Sequence, residues 1–527
     1  MSKLNHRLKR IILSTPFGIA LAILVCLLLA GYSIWYASAG EFPVFPKTGK
    51  DNYYIDLGEA FIHGQLSMLQ KPSPELMALK NPYSYKQRQN VDYQFDYSYY
   101  KGEYYLYWGP VPGLVLGGIE ELIRARPPNS LMTVISYVGL SFLLLMILIQ
   151  IRNQFFPVAP SLSLMIFILS GLVNISFLFI LGRPEIYETS IIAGQLFLFL
   201  GLWGWMMYAK TSKPVWLVIA GLGWGLALGS RYNLAISILL FVGFTIIWTG
   251  RESKWKHFWS KLWPLLVPLA LCVLGLGIYN FARFHDPLET GLTYQLTLPM
   301  PRFYLTSYFP SNLYAYFFSP LTVAAKFPFI QSSPFSDAYL PVWLRASAVS
   351  SGKLFDPVMT GLLPSTPSIW LLALSIPLAL LLRTSYFRVR PALSKRFAFF
   401  AIILIAGTAQ IFFLLIFFYG AMRYMADFYL LLTLTAAMLV WRIDEMLPSR
   451  PKLRLCFWIM VTGLAIGTAG IGFFSGFDIP PQIFRHYNPV LYSHLASYWN
   501  NYFQDLKTIV DVLQIPKILH FVFHGVS

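Results

Sequence analysis

Apolar residues run along this chain in blocks near 20 long, separated by short joints of polar and basic residues. A helix needs roughly 20 apolar residues to cross the hydrocarbon of a bilayer, so each block predicts a transmembrane helix. The blocks fall at 11–36, 131–151, 158–181, 188–208, 214–230, 233–249, 263–281, 368–383, 397–419, 427–443 and 455–475. The pattern is that of an all-α polytopic membrane protein with about eleven spans. The block 214–230 is short and glycine-rich, which predicts a tilted or broken span, or one merged with its neighbour. Six segments follow: 1–36 with a cytoplasmic N-terminus and the first span, 37–130 as a first outer loop, 131–281 with spans two to seven, 282–367 as a second large outer loop, 368–475 with spans eight to eleven, and 476–527 as an outer C-terminal segment. The first block is longer than the apolar stretch of a signal peptide and lacks an early small-x-small cleavage site, so it reads as an uncleaved span.

Composition agrees: 56% of the 527 residues are hydrophobic and 12% are charged, about half the charge fraction of a soluble domain. In a soluble protein a net charge of +17 would point to nucleic acid. Here the basic residues sit in the joints, where they fix topology, and nucleic-acid binding is excluded. Cys26, Cys272 and Cys456 lie in or beside apolar blocks without CxxC or metal spacing, and read as packing residues.

The joints also set the orientation. With Lys3, Arg7, Lys9 and Arg10 in the cytoplasm, the joint at Arg152, the joint at Lys210 and Lys213, and the run from Arg251 to Lys261 also become cytoplasmic. So do the run from Arg383 to Arg396 and that from Arg442 to Arg454. This holds only if 108–123 does not cross. That segment, WGPVPGLVLGGIEELI, is short and glycine-rich and ends in Glu120 and Glu121, which suits an interfacial helix. Over two hundred residues then lie on the outer side, rich in Tyr, Trp, Phe and Pro, too many for turns alone. They predict a site roofed over the membrane surface.

The first loop opens TGKDNYYIDLGEAFIHG, with Asp51, Asp56 and Glu59 just beyond the first span. Asp56 and Glu59 share a helix face by their spacing, while Asp51 falls where the chain turns over the membrane or caps the helix that follows. Further on, VDYQFDYSYYKGEYYLYWGPVPG alternates about a central Lys-Gly and predicts a hairpin. Its aromatics suit either a sugar or lipid site or an interfacial belt.

These motifs resemble the GT-C superfamily of membrane glycosyltransferases, which take sugars from polyprenyl-phosphate carriers. Protein O-mannosyltransferases, aminoarabinose transferases of lipid A and galacturonosyltransferases of lipopolysaccharide are the nearest in pattern. There the first outer loop carries an early Asp and a pair of interfacial helices that run into a basic residue and prolines. The matching residues are DNYY at 51–54, YWGPVPG at 107–113 and RARPPN at 124–129. The resemblance implies Asp51 as catalytic base, with Asp56 and Glu59 as acidic partners. Two departures stand out: Asn52 replaces the second acid of a tandem pair, and WGPVP lacks the lysine some relatives place near the donor phosphate.

Four further motifs belong at outer helix ends or in the second loop. They are LGRPEIYE with Arg183, Glu185 and Tyr187, GSRYN with Arg231, the 279–296 stretch with Arg283 and Glu289, and GAMRYMAD with Arg423 and Tyr424. The last is similar to the Arg-Tyr signature of the superfamily. Arg423 and Arg183, then Arg231 and Arg283, are the candidates to hold the donor phosphate. Tyr53, Tyr54, Glu185, Tyr187, Glu289 and Tyr424 are the candidates to line the substrate site.

The expected activity is inverting transfer of a sugar, hexose or pentose, from a polyprenyl phosphate to a hydroxyl of a glycan, lipid or protein, at the outer face of a bacterial plasma membrane. No cofactor is required; a divalent ion on Asp51, Asp56 and Glu59 is an option, since carboxylates supply oxygen ligands. A glycan polymerase or ligase is the rival within enzymes. A transporter or flippase is the rival outside them, and it would favour internal repeats and charges at mid-span.

Overall fold

The computed structural model describes residues 15–45, 53–252, 255–297, 304–332, 334–335, 340–345, 354–374 and 391–512. Asp51 and Asn52, residues 375–383 of the block 368–383, and the whole of the tail after Val512 lie outside the described residues.

Helix α1 (Thr15–Ala37) crosses first. The first loop then forms α2 (Tyr53–Ile62), strands β1 (Ser98–Tyr100) and β2 (Glu103–Tyr105), and α3 (Val111–Ile123). The hairpin turns at Lys101 and Gly102, both with positive φ (50° and 82°). Two left-handed residues make the turn whose twist matches paired strands, as the Lys-Gly step predicts. Helix α3 has 13 residues, about 20 Å of rise against a hydrocarbon core of about 30 Å. It packs on α2 and is not among the helices long and apolar enough to cross. A Cβ on Gly58 would stand 2.7 Å from the Gly117 nitrogen and 2.9 Å from the Gly113 oxygen, so the two backbones touch.

The bundle follows. Helix α4 (Leu131–Phe155) leads to α5 (Ser163–Leu172) and α6 (Ile175–Gly182). The expected single span 158–181 is thus a pair bent by 54°. The break has a local cause: Asn174 Oδ1 accepts from the backbone N–H groups of Ser176 (3.1 Å) and Phe177 (3.3 Å), capping a new helix start. Helices α7 (Ile186–Thr211), α8 (Val215–Leu228), α9 (Ala235–Glu252) and α10 (Trp255–Phe284) come next. The glycine-rich α8 is a separate helix of 14 residues, and its glycines let it lie against α7: a Cβ on Gly223 would meet the Gly201 nitrogen at 2.6 Å. After the second loop come α11 (Pro391–Leu415), α12 (Ala426–Asp444), α13 (Pro451–Ser475) and α14 (Pro489–Val512).

Eight of the described helices are long and apolar enough to cross a membrane, nine if the bent pair counts as one. The expected count of about eleven needs α8 and the 368–383 block as well. Of the latter, Pro367–Leu374 is a 3₁₀ helix. Helix α12 is buried along its whole apolar window and forms the axis. Helix α10 lies at the rim, with Leu271, Leu274 and Ile278 exposed where acyl chains belong. In the tail, Trp499 and Phe503 of α14 meet the Phe474 ring of α13 edge to face.

Among the described residues, several basic joints tie helix ends together. Arg152 donates to the Ala159 carbonyl (2.8 Å) and to Thr15 Oγ1 (3.4 Å), tying α4 to the start of α1. Arg454 holds Asp444 (2.6 Å) and Arg396 holds Glu445 (3.2 Å). Described parts of both large loops meet around one cavity.

Candidate active site

At the loop end a cavity of about 700 Å³ opens between the hairpin arm, the starts of α7 and α9, the second loop, and the turn between α11 and α12. Aromatic side chains form about half of its wall, among them Tyr53, Trp108, Tyr187, Phe417, Tyr419 and Tyr424, and three arginines enter it.

Arg423 sits in the 3₁₀ turn Met422–Met425. Just before it, Tyr419–Gly420 pairs in parallel with Leu354–Phe355 of the second loop, and the Asp356 N–H donates to the Gly420 carbonyl at 2.8 Å. This pairing carries Asp356 to Arg423. Arg423 Nη1 donates to Asp356 Oδ2 at 2.7 Å, and the Tyr419 hydroxyl donates to Oδ1 at 2.6 Å. Glu188 lies 3.6 Å from Arg423 Nε. The guanidinium also faces the rings of Tyr187 (4.7 Å) and Tyr424 (5.3 Å), within the range of a cation–π contact. Arg423 is therefore buried, charged and fixed by planar contacts on several sides.

Arg231, in the turn after α8, forks onto Asp427 at the start of α12. Its Nε–Oδ1 distance is 2.8 Å and its Nη2–Oδ2 distance 2.6 Å. Asn233 Nδ2 donates to the same carboxylate at 2.8 Å. Arg183 pairs with Glu185 at 2.9 Å and is about a third exposed.

Asp96 completes the polar lining. Its carboxylate accepts from Tyr187 (2.7 Å), Thr297 (2.8 Å) and Tyr107 (3.2 Å). Burial raises its carboxyl above the usual range, while the three hydroxyl donors and the charge of Arg423 work against that rise.

Of the residues singled out in the sequence, Tyr53, Arg183, Glu185, Tyr187, Arg231, Arg423 and Tyr424 line this cavity. Four elements far apart in the chain bring them together. Asp51 itself is outside the described residues; Tyr53, two positions on, lines the cavity. Other candidates go elsewhere. Arg283 lies beneath the hairpin, donating to the Leu106 carbonyl (2.6 Å) and Asn280 Oδ1 (2.7 Å) and stacking on Tyr279 at 3.8 Å. Its guanidinium holds the loop in place and is not part of the cavity lining. Glu289 closes its own turn, accepting from the Gly291 N–H and the Thr293 hydroxyl, both at 2.6 Å. Tyr54 is fully buried in the packing of the first loop.

Asp56 and Glu59 line a second cavity of about 960 Å³ with Arg126, Pro127 and Pro128. Both carboxylates hold Arg126. A cation placed on them would meet that guanidinium, so this pair does not fit a metal as it stands. Among the described residues no three of His, Cys, Asp and Glu converge as metal ligands.

Sequence reasoning passed over Asp96, Asp356 and Thr297. The available signal for Asp96 was a lone acid inside the aromatic run FDYSYY. Asp356 had none, because its role depends on a strand pairing 65 residues away.

No family model matches the chain, and no curated protein matches it. Solved structures do. An oligosaccharyltransferase from Archaeoglobus fulgidus, tethered with an acceptor peptide containing the NVT sequon, superposes with a TM-score of 0.50 at 13% identity. The match covers 87% of this chain and 55% of that one. ArnT from Cupriavidus metallidurans bound to undecaprenyl phosphate superposes with a TM-score of 0.44 at 13% identity, covering 88% of this chain and 77% of that one. The chain spans about half the length of the oligosaccharyltransferase it matches. At such identity the likeness speaks to architecture: this is a multi-pass, predominantly helical membrane protein with the GT-C fold.

Proposed function

We propose that the protein is an inverting glycosyltransferase that moves a sugar from a polyprenyl-phosphate donor to a hydroxyl acceptor at the outer face of a bacterial plasma membrane. The observation that carries this reading is the placement of Arg423. It is a buried, fixed guanidinium in an aromatic-walled cavity at the loop end of the helices, where a lipid headgroup can arrive. A polyprenyl phosphate leaves the bilayer only at a cost of about 0.8 kcal/mol per CH₂. The enzyme must therefore bring its site to the headgroup.

The reaction follows from these parts. The acceptor hydroxyl oxygen forms a bond to the anomeric carbon, and the bond from that carbon to the phosphate oxygen breaks. The bonding pair leaves with the phosphate, and Asp51 takes the hydroxyl proton as general base. Attack opposite the phosphate inverts the anomeric centre. Arg423, with Arg183 at the more open side, stabilises the charge that grows on the phosphate. Hexose or pentose as the sugar, and glycan, lipid or protein as the acceptor, all fit this scheme. No step runs through a metal.

The test uses the protein in nanodiscs with polyprenyl-phosphate sugars and a crude acceptor extract, followed by mass spectrometry. Wild type should consume a donor and yield a product heavier by one sugar residue, and Asp51→Asn should not. Equal turnover by D51N would remove Asp51 from the role of base.

A further inference from the structure

Asp96 combines three features that a packing residue does not need. Its φ of +64° lies in the left-handed region, which residues with a β-carbon rarely adopt, Asn and Asp being the usual exceptions. Its side chain is 5% exposed yet lines the cavity. Its donors are all hydroxyls: Tyr107 and Thr297 on Oδ1, Tyr187 on Oδ2. Among the described residues no lysine, arginine or histidine forms an ion pair with it. Each arginine that lines the cavity has a carboxylate of its own, Arg423 with Asp356 and Glu188 beside it, Arg231 with Asp427 and Arg183 with Glu185, so Arg423 reaches Asp96 only through its field.

A carboxylate has about four lone-pair sites. Two are used on Oδ1 and one on Oδ2, which leaves one on Oδ2. A ligand group that reaches it must donate a hydrogen bond. A second carboxylate there would come within hydrogen-bond distance of a carboxylate that no cation ion-pairs, and like charges brought together at an interface are strongly disfavoured.

We propose that Asp96 reads the transferred sugar: it accepts a hydrogen bond from a sugar hydroxyl or ammonium, and it excludes donors whose sugar is a uronic acid. This rests on the glycosyl-transfer reading and narrows its substrate class to neutral and amino sugars. Tyr187 couples the two halves of the site. Its hydroxyl fixes Asp96 while its ring covers Arg423 at 4.7 Å, so the residue that reads the sugar and the arginine assigned to the phosphate are held in one frame.

The test is a panel of three undecaprenyl-phosphate donors carrying a neutral hexose, an aminopentose and a uronic acid, offered to wild type and Asp96→Asn in nanodiscs. Asn tolerates the left-handed backbone and keeps the shape, but it removes the charge and adds an N–H donor. Both turnover and donor-induced thermal stabilisation are read. Wild type should favour the neutral or amino donor over the uronic one by about 100-fold in kcat/KM, and D96N should bring that ratio at least tenfold closer to one. Wild type that uses the uronic donor as well as the others overturns the assignment, as does a ratio unchanged in D96N. Both results leave glycosyl transfer standing. If no donor reacts with or stabilises the wild type, the glycosyl-transfer reading falls and the Asp96 assignment falls with it. Equal use of the uronic donor by wild type overturns the assignment even should D96N fail to fold.

Discussion

Arg423 and Asp356 stand 67 residues apart in sequence and meet in a hydrogen-bonded ion pair of 2.7 Å, with 4% and 8% of their side chains exposed. The pair aims the guanidinium at the cavity. Arg423→Lys keeps the charge but loses the planar fork and the ring contacts. Donor turnover should fall by about 10²-fold or more, the scale seen when one preorganised donor to a developing anion is removed. Donor loss measured by mass spectrometry checks this, and wild-type turnover in R423K would remove Arg423 from the phosphate site.

The Arg231–Asp427 pair is buried at 6% and 0% exposure and ties the turn after α8 to the central helix α12. Breaking it from one side leaves a buried charge alone. Arg231→Met should cost about 3–5 kcal/mol of stability, seen as a lower unfolding midpoint in detergent. The double variant Arg231→Met with Asp427→Leu should recover most of that loss, since both charges are gone.

The contact between α2 and α3 depends on glycine. With backbone atoms 2.7–3.0 Å from a would-be Cβ at Gly58, a larger side chain must push the helices apart. Gly58→Leu should destabilise the protein by about 1–3 kcal/mol, the usual cost of overpacking, and lower donor turnover further by displacing Tyr53. Gly118, where a Cβ meets nothing within 4 Å, is the control: Gly118→Ala should leave both unchanged.

Asp56 and Glu59 are engaged by Arg126. Exhaustive chelation should therefore leave turnover intact. Loss of turnover on chelation, restored by a divalent ion, would show that a metal enters the site.

Much of this architecture can be read from the sequence, for identifiable reasons. The spans follow from apolar block length. The Lys101–Gly102 step selects a hairpin turn, and the glycine-rich stretch before Glu120 and Glu121 forms a helix of only 13 residues, Val111–Ile123. The break at Asn174 was not legible, because an asparagine in an apolar run caps a helix only when the chain bends there. The arginines and tyrosines at the helix ends were visible because polar residues at the edge of an apolar block stand out. Arg283 looks the same in sequence, and only the fold shows its guanidinium turned to the Leu106 carbonyl. Asp96 and Asp356 became visible only through tertiary pairing: the Leu296 N–H donates to the Tyr97 carbonyl at 2.9 Å, and Leu354–Phe355 runs beside Tyr419–Gly420.

The most direct measurement follows one sugar through the reaction. Purified protein in nanodiscs is given a polyprenyl-phosphate sugar of known anomeric configuration and an acceptor. Free polyprenyl phosphate is quantified against glycosylated product, and the anomeric configuration of the product is read by NMR. The account predicts one lipid phosphate released per sugar transferred, with inversion at the anomeric carbon. Lipid phosphate released without a glycosylated product, or a product of retained configuration, would contradict it.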